Sequence, residues 1–247
     1  MSEYIVGRNP VIECLQSGSQ GIERVCVAEG NRHARIRQIV AMAERIGIPI
    51  QYCARRELDR LEPSLPHQGV IAVVRAAHYS DLSSILSKIQ RSEDNALLVM
   101  LDGIQDPRNF GAILRTAEAA NADAVIIPKD RAVGITAAVH KASAGASTYI
   151  PIVRVTNLAR TLDTLKDAGI WIAGAAGDAS SLYTDVDFNV PLCLVLGSEG
   201  TGIRRLVKQK CDYLVHLPML GKISSLNVSV AAGILLYEVV RQRHALP

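Results

Sequence analysis

The stretch SLNVS at residues 225–229 closely follows a second short stretch, LPMLG at residues 217–221. Two stretches upstream share their character: LVLGSEGTGI at residues 194–203 and DPRNFGAILRTA at residues 106–117. Each lies at or beside the end of an apolar run, where a strand is predicted to pass into a loop. This shared position predicts that the four stretches are gathered at one edge of a sheet.

Apolar runs and helical patterns alternate from residue 95 onward. The run 96–101 is almost continuously apolar, which is typical of a parallel strand buried on both faces. The alternation predicts an α/β fold with a parallel sheet, and such sheets bind ligands outside the carboxyl ends of their strands. The predicted strands are 96–101, 124–127, 170–173, 192–196 and 214–217, and the predicted helices are 111–120, 137–144, 158–168, 203–210 and 228–243.

The chain is predicted to have two domains. Residues 1–76 form a small α/β unit in which Asn9 caps the first helix and Pro10 takes its first position. Residues 77–94 are polar and predict a linker that contains a short amphipathic helix. Residues 95–247 form the second domain.

Composition limits the class of protein. The chain has 247 residues, of which 49% are hydrophobic, and a formal net charge of +3. No apolar run approaches the roughly 20 residues that a membrane-spanning helix needs, and the N-terminus lacks a secretory signal pattern. The mildly basic charge is compatible with nucleic acid. We therefore expect a cytoplasmic protein without a membrane partner.

The five cysteines are widely spaced and include no CxxC pair. This spacing predicts neither a disulfide framework nor a metal site, and it favours small buried side chains in a reducing compartment. Trp171 lies in an apolar run and is predicted to be in the core.

Arginine is concentrated in the first domain, where no lysine occurs before Lys88. Arg32, Arg35 and Arg37 cluster around His33, and the planar guanidinium group suits phosphate. Either phosphate binding or a solvated helix face fits this cluster, because acidic residues lie among the arginines that follow it.

The glycine-rich stretch 197–202 matches neither a dinucleotide-binding fingerprint nor a nucleophile elbow. By itself it predicts only tight backbone turns close to a ligand.

Together, the stretches 106–117, 194–203 and 217–229 resemble the motifs of the SpoU/TrmH family, the SPOUT-class RNA ribose 2'-O-methyltransferases. The resemblance covers nearly the whole chain. It implies a C-terminal domain with a deep trefoil knot, which is rare among protein folds, and S-adenosylmethionine (AdoMet) as cofactor. The residues implied to bind the cofactor are Gly197, Gly202, Leu217, Met219 and Leu226, although plain core packing is an alternative for the apolar three.

The same resemblance makes Arg115 the central catalytic residue, with Asn109, Glu199, Ser225 and Asn227 around it. An arginine does not readily lose its proton. Two roles therefore stay open: Arg115 stabilises charge on the attacking oxygen and binds phosphate, or it removes a proton through a relay. A surface position on its helix is the alternative, although the apolar residues beside it favour an inward one.

Residues 4–11 and 67–70 resemble the family's N-terminal RNA-binding domain, which has a fold like that of a ribosomal protein. The expected RNA contacts are Arg8, Arg32, Arg35 and Arg37. A second basic set, Arg204, Arg205, Lys208 and Lys210, is a further hypothesis for phosphate binding.

Residues 128–131 and 154–160 resemble most the bacterial subgroup that methylates a guanosine ribose in the peptidyl-transferase region of 23S rRNA. The class implies a homodimer, and the apolar residues on more than one side of helix 228–243 are compatible with one. Two alternatives remain: a transfer RNA ribose methyltransferase of the same family, and a non-catalytic rRNA-binding assembly factor.

Overall fold

The chain folds into two units, each built around its own sheet. The structure, a computed structural model, describes residues 2–17, 22–63, 65–75 and 79–244. One unit comprises residues 1–77 and 135–141, and the other comprises residues 78–134 and 142–247. The predicted domain boundary at residue 76 lies outside the described residues.

The first unit is a mixed sheet with helices on both faces. Its elements in chain order are β1 (Ser2–Val6), α1 (Arg8–Ser17), β2 (Ile22–Ala28), α2 (Ala34–Arg45), β3 (Ile50–Cys53), α3 (Arg55–Leu61) and β4 (Val70–Arg75). The strand order is β1-β4-β2-β3, with β4 antiparallel to β1 and β2, and β2 parallel to β3.

Successive side chains of the inner strand β2 point to opposite faces, as the strand period requires. Val25 packs with Ile39 of α2 in the core on one face. Cys26 packs with Leu58 of α3 in the core on the other face. Both sides of the sheet are thereby removed from water.

The second unit contains a seven-stranded sheet. The elements from residue 82 onward are α4 (Leu82–Ile89), β5 (Leu97–Asp102), α5 (Pro107–Ala119), β6 (Ala124–Pro128), α6 (Ala137–Ala142), β7 (Ile152–Val155), α7 (Leu158–Asp167), β8 (Trp171–Ala175), β9 (Ser181–Leu182), β10 (Leu192–Gly197), α8 (Arg205–Lys208), β11 (Tyr213–His216) and α9 (Val228–Arg243). Residues 137–141 of α6 belong to the first unit.

All strand pairs of the larger sheet are parallel, and their order is β7-β6-β5-β10-β8-β11-β9. This confirms the predicted α/β fold. Every residue of β5 is buried, as its continuous apolar sequence predicted. The trefoil knot implied by the family resemblance stays a prediction.

Strand β10 lies between β5 and β8, and this position creates the site. From β5 the chain continues to β6 and β7 on one side of the sheet. From β10 it continues to β11 on the other side. The loops after β5 and β10 therefore diverge, and a crevice at such a switch point is where open α/β sheets bind ligands.

Arg243, in the last turn of α9, fastens that helix to the amino ends of β5 and β10. Its guanidinium group donates to the carbonyl oxygens of Asn95 (2.5 Å), Ala96 (2.9 Å), Phe188 (3.2 Å) and Val190 (2.6 Å). Burial lowers the pKa of Arg243 from its ordinary value. These bonds fix the far end of α9, whose first residue stands at the candidate site.

Several predictions differ from the structure. Helix α5 begins at Pro107 rather than at residue 111, and α1 begins at Arg8, so Asn9 lies within that helix instead of capping it. Trp171 is not in the core: as the first residue of β8 it is 45% exposed and stacks on Tyr213, with ring centroids 5.5 Å apart. Helix 203–210 is shorter than predicted, because Arg204 is extended and α8 begins at Arg205. Residues 79–94 were expected within a linker, but they belong to the second unit, where Ile85 of α4 is buried in the core.

The cysteines are free thiols, four of them buried and Cys211 half-buried. Burial raises the pKa of Cys14 and Cys211 to about 11, so these thiols are protonated and unreactive at neutral pH. Their prediction as small buried side chains is confirmed for Cys14, Cys26, Cys53 and Cys193. In the described parts of the chain, no helix is long and apolar enough to cross a membrane.

Candidate active site

Three polar side chains from three separate loops meet at the carboxyl edge of the larger sheet. Asn109 lies in the first turn of α5, Glu199 follows β10, and Asn227 is the N-cap of α9. Asn109 donates to Glu199 Oε1 at 2.8 Å, and Asn227 donates to the same oxygen at 2.8 Å. Asn227 also donates to Asn109 Oδ1 at 3.0 Å. We call these three residues the polar network.

Helix capping places two members of the polar network. The carboxylate of Asp106 accepts from the amide of Arg108 at 2.8 Å, and Pro107 takes the first position of α5. Asn227 caps α9 by accepting from the amide of Ser229 at 2.9 Å. Each asparagine therefore stands where its helix begins, and the side chain of Asn109 is buried.

The third member depends on a tight turn. Ser198 and Gly202 exchange backbone hydrogen bonds of 3.2 and 2.9 Å across residues 199–201. The turn returns directly over Gly197, where an added Cβ would overlap the backbone of Gly202 and Ile203. Gly200 and Gly202 adopt left-handed conformations, with φ of +89° and +65°. Glu199 is thus held at the tip of a turn that requires glycine.

A buried carboxylate that the sequence did not predict pins this turn to the neighbouring strand. Asp102, the last residue of β5, accepts from the Arg204 amide at 2.8 Å and from Arg204 Nε at 2.6 Å. The Asp102 side chain is fully buried, so both oxygens need partners. The available signal was one acidic residue directly after six apolar ones.

A cavity of about 780 Å³ lies beside the polar network, between the loops that follow β8, β10 and β11. This volume is within the roughly 300–1,000 Å³ that small-molecule sites span. All five predicted cofactor-binding residues line it: Gly197, Gly202, Leu217, Met219 and Leu226. Ser225, Glu199 and Asn227 line it as well, so the structure brings together these predicted residues.

Arg115 is not joined to the polar network. Its side chain is exposed on α5, and it makes no hydrogen bond or ion pair within the described part of the chain. The inward position that the sequence favoured for Arg115 is therefore wrong. Its catalytic role stays a prediction.

The predicted RNA contacts lie in the first unit. Arg32, Arg35 and Arg37 are exposed. Arg8 is half-buried and donates through Nε to the carbonyl of Gln68 at 3.1 Å. Their contact with RNA stays a prediction.

The basic set that follows residue 203 is largely neutralised. Arg204 bonds Asp102, Lys208 bonds Asp178 at 2.6 Å, and Lys210 bonds Asp163 at 2.5 Å. The hydrogen bond from Lys208 lowers the pKa of Asp178. These pairings weaken the hypothesis that this set holds phosphates.

The described residues contain no group of three histidine, cysteine or acidic side chains arranged to hold a metal ion.

Two sequence models cover most of the chain. Residues 96–237 match the SpoU rRNA Methylase family, and residues 4–80 match the RNA 2'-O ribose methyltransferase substrate binding domain. The chain belongs to the SpoU rRNA methylase family. The family membership expected from the sequence motifs is therefore confirmed.

Relatives of this SpoU-family chain include YacO of Bacillus subtilis, which is assigned to the TrmH family of tRNA/rRNA methyltransferases. The two are 46% identical over 98% of this chain and 96% of YacO. The 23S rRNA (guanosine-2'-O-)-methyltransferase RlmB of Coxiella burnetii is 44% identical over 98% of this chain and 96% of RlmB. Among solved structures, the SpoU methyltransferase AviRb of Streptomyces viridochromogenes, in complex with AdoMet, has a TM-score of 0.64 at 26% identity, covering 98% of this chain and 90% of AviRb.

We expect Gly197→Ala to disrupt the turn at residues 198–202, because the new methyl group overlaps backbone atoms that cannot move aside freely. The cost is about 2 kcal/mol or more, which corresponds to a melting temperature lower by roughly 4–8 °C. Hydrogen exchange should report lost protection of the Gly202 amide.

Gly177→Ala is the matched control, because Gly177 also lines the cavity but an added Cβ there meets nothing within 4 Å. If both variants have the same melting temperature, the close return of the chain over Gly197 is not needed for the stability of the turn.

Proposed function

We propose that this protein transfers a methyl group from AdoMet to the ribose 2'-hydroxyl of a guanosine in the peptidyl-transferase region of 23S rRNA. The observation that carries the proposal is the polar network at the mouth of a cavity of cofactor size. Similarity over nearly the whole chain to an enzyme named for guanosine-2'-O methylation of 23S rRNA supports the choice of substrate. This substrate places the protein in the cytoplasm.

The residues around the cavity fit the cofactor. Gly197 lines the cavity, and Leu217, Met219 and Leu226 offer an apolar wall for a planar ring. We expect the backbone amides of Gly197, Leu217 and Leu226 to bind the adenine and ribose. When bound, AdoMet supplies an electrophilic methyl group.

The polar network suits the task of orienting the attacking hydroxyl. A ribose hydroxyl is a poor nucleophile at neutral pH, so its position and the removal of its proton must be assisted. Asn109 and Asn227 both donate to Oε1 of Glu199, and no hydrogen bond to Oε2 occurs in the described residues. Oε2 is therefore placed to accept from a hydroxyl, while Ser225 supplies a further donor nearby.

Arg115 is assigned the stabilisation of negative charge on the attacking oxygen and the adjacent phosphate. Its guanidinium group is exposed and unpaired among the described residues, so it is available to an incoming anion. A permanently charged group is better suited to this role than to proton removal.

A transfer RNA substrate is the second candidate, because YacO is assigned to a family that acts on tRNA or rRNA. The deciding experiment incubates the purified protein with methyl-labelled AdoMet and either protein-free 23S rRNA or a tRNA mixture. We expect one 2'-O-methylguanosine in the peptidyl-transferase region of 23S rRNA. Methylation of tRNA alone would favour the second candidate, and cofactor binding without transfer to either RNA would favour a non-catalytic binding protein.

Replacing Arg115 by alanine should lower methyl transfer at least about 100-fold, as expected when a charge-stabilising donor is lost. Arg115→Lys should fail as well, because the planar fork is lost. AdoMet affinity, measured by calorimetry, should stay within twofold of wild type. Arg91→Ala, which removes another exposed arginine of the second unit, should have no effect. Lost cofactor binding in a folded Arg115→Ala protein would contradict the assigned role.

We propose that the protein is a homodimer joined through α9. Val230, Ile234 and Tyr237 recur on one face of this helix and are 50%, 37% and 53% exposed. An apolar stripe of this kind marks an interaction surface.

The double variant Val230→Ser/Ile234→Ser should sediment as a monomer under conditions in which the wild-type protein is a dimer. The control is Leu206→Ser, which removes an equally exposed apolar side chain from α8. A wild-type monomer, or a dimer that the double variant retains, would exclude this interface.

A further inference from the structure

The carboxyl edge of the larger sheet has two halves with different contents. The loops after β8, β10 and β11 enclose the cavity assigned to the cofactor. The loops after β5, β6 and β7 lie on the other side of the polar network, because the strand order places β6 and β7 beyond β5. A substrate that reaches the polar network while the cavity is filled therefore has the second half of the edge open to it.

Basic side chains occur on both halves. Beside the cavity, Lys208 is bonded to Asp178 at 2.6 Å, whereas Arg205 and Lys222 are exposed and form no ion pair among the described residues. Four exposed cations, in the first turn of α5, in the loop after β6 and in β7 itself, form no ion pair within the described chain. They are Arg108, Lys129, Arg131 and Arg154.

Two of these residues are placed against the ordinary preferences of the backbone. Arg108 lies in the first turn of α5, where the helix dipole disfavours a cation. Arg131 has a φ of +57°, which is uncommon for a residue other than glycine. Arg108 has no carboxylate partner among the described residues, and an anionic ligand would offset its unfavourable position at the helix start.

The loops are fastened to one another, so the four cations form one surface. The Val133 amide donates to the Ile104 carbonyl at 2.9 Å, which ties the loop after β6 to the loop after β5. Arg154 donates through Nη2 to the Lys129 carbonyl at 3.1 Å and lies 4.7 Å from the centre of the Tyr79 ring. Only one of its five N–H donors is thereby used.

A smaller cavity of about 280 Å³ lies between the loop after β5 and the polar network. Its lining includes Ile104, Gln105 and Asp106 from that loop, together with Asn109 and Glu199. Arg108 lies between Asp106 and Asn109 in the sequence, so a nucleotide held in this cavity would lie close to Arg108.

We propose that Arg108, Lys129, Arg131 and Arg154 bind the sugar–phosphate backbone of the RNA next to the target nucleotide. Arginine and lysine match phosphate in charge, and the arginine fork can bind two phosphate oxygens. The exposed carboxylate of Asp130 lies within this surface and is the one acidic side chain among the residues 129–131. The inference rests on the proposed function in taking RNA as the partner.

The test compares two double variants that change the net charge equally. Lys129→Gln/Arg131→Gln removes two unpaired cations of the proposed surface, and Lys166→Gln/Lys210→Gln removes two cations that are paired with Asp212 and Asp163. The affinity of each protein is measured for two RNAs, a transcript of the 23S rRNA peptidyl-transferase region and a tRNA transcript. Each measurement is repeated at several salt concentrations between about 50 and 200 mM.

For the surface variant we expect the slope of log affinity against log salt to flatten by roughly 1.5, since each lost phosphate contact removes about 0.7–0.9. The control should keep the wild-type slope. AdoMet affinity should be unchanged in both variants. Arg154→Gln, measured separately, should flatten the slope by roughly half as much.

The outcomes separate this proposal from the proposed function. Equal flattening in both double variants would mean that only net charge matters, and an unchanged slope in the surface variant would mean that these residues do not touch RNA. If the wild-type protein transfers methyl groups, either result would overturn the proposed RNA-binding surface and leave the proposed function intact. A wild-type protein without salt-dependent RNA binding would overturn both proposals.

Discussion

The close return of the chain over Gly197 is the constraint on which the site depends. Because Ser198 and Gly202 bond to each other directly above this glycine, the chain reverses within five residues and leaves Glu199 at the tip of the turn. Any side chain at position 197 would force the two arms apart. Asn109 and Asn227 come from helices that begin elsewhere in the sequence, and they meet Glu199 only because the turn keeps it beside them.

The buried carboxylate of Asp102 extends this constraint to the neighbouring strand. A fully buried carboxylate is costly unless its oxygens are bonded, and both oxygens of Asp102 are taken by Arg204. The same bonds hold Arg204 in an extended conformation, so α8 begins only at Arg205. One pair therefore fixes the exit of the turn, shortens the helix that follows, and joins the ends of β5 and β10 at the switch point.

The sequence predicted most of the second unit because its signals are local. The apolar run at 96–101 and the closing helix 228–243 each follow from a pattern in consecutive residues, and the structure has both in place. Pairings between distant residues had no such signal. Nothing near Asp102 in the sequence indicates Arg204, and the exposure of Trp171 follows from its place at the very start of β8. The exposure of Arg115 was missed because the apolar residues beside it in the sequence favoured an inward position.

The unpaired cations around the loops after β5 and β6 are better explained by ligand binding than by stability. An exposed ion pair contributes only about 0–1 kcal/mol, so folding gains little from pairing Lys210 or from leaving Lys129 unpaired. For phosphate binding the difference matters more. A lysine that is bonded to a carboxylate must give up that partner and leave a negative charge close to the phosphate. An unpaired cation has no such bond to break, and Arg154 is already positioned by Tyr79 and the Lys129 carbonyl while most of its donors stay unused. In the proposed arrangement, these unpaired cations direct the polyanion to the polar network.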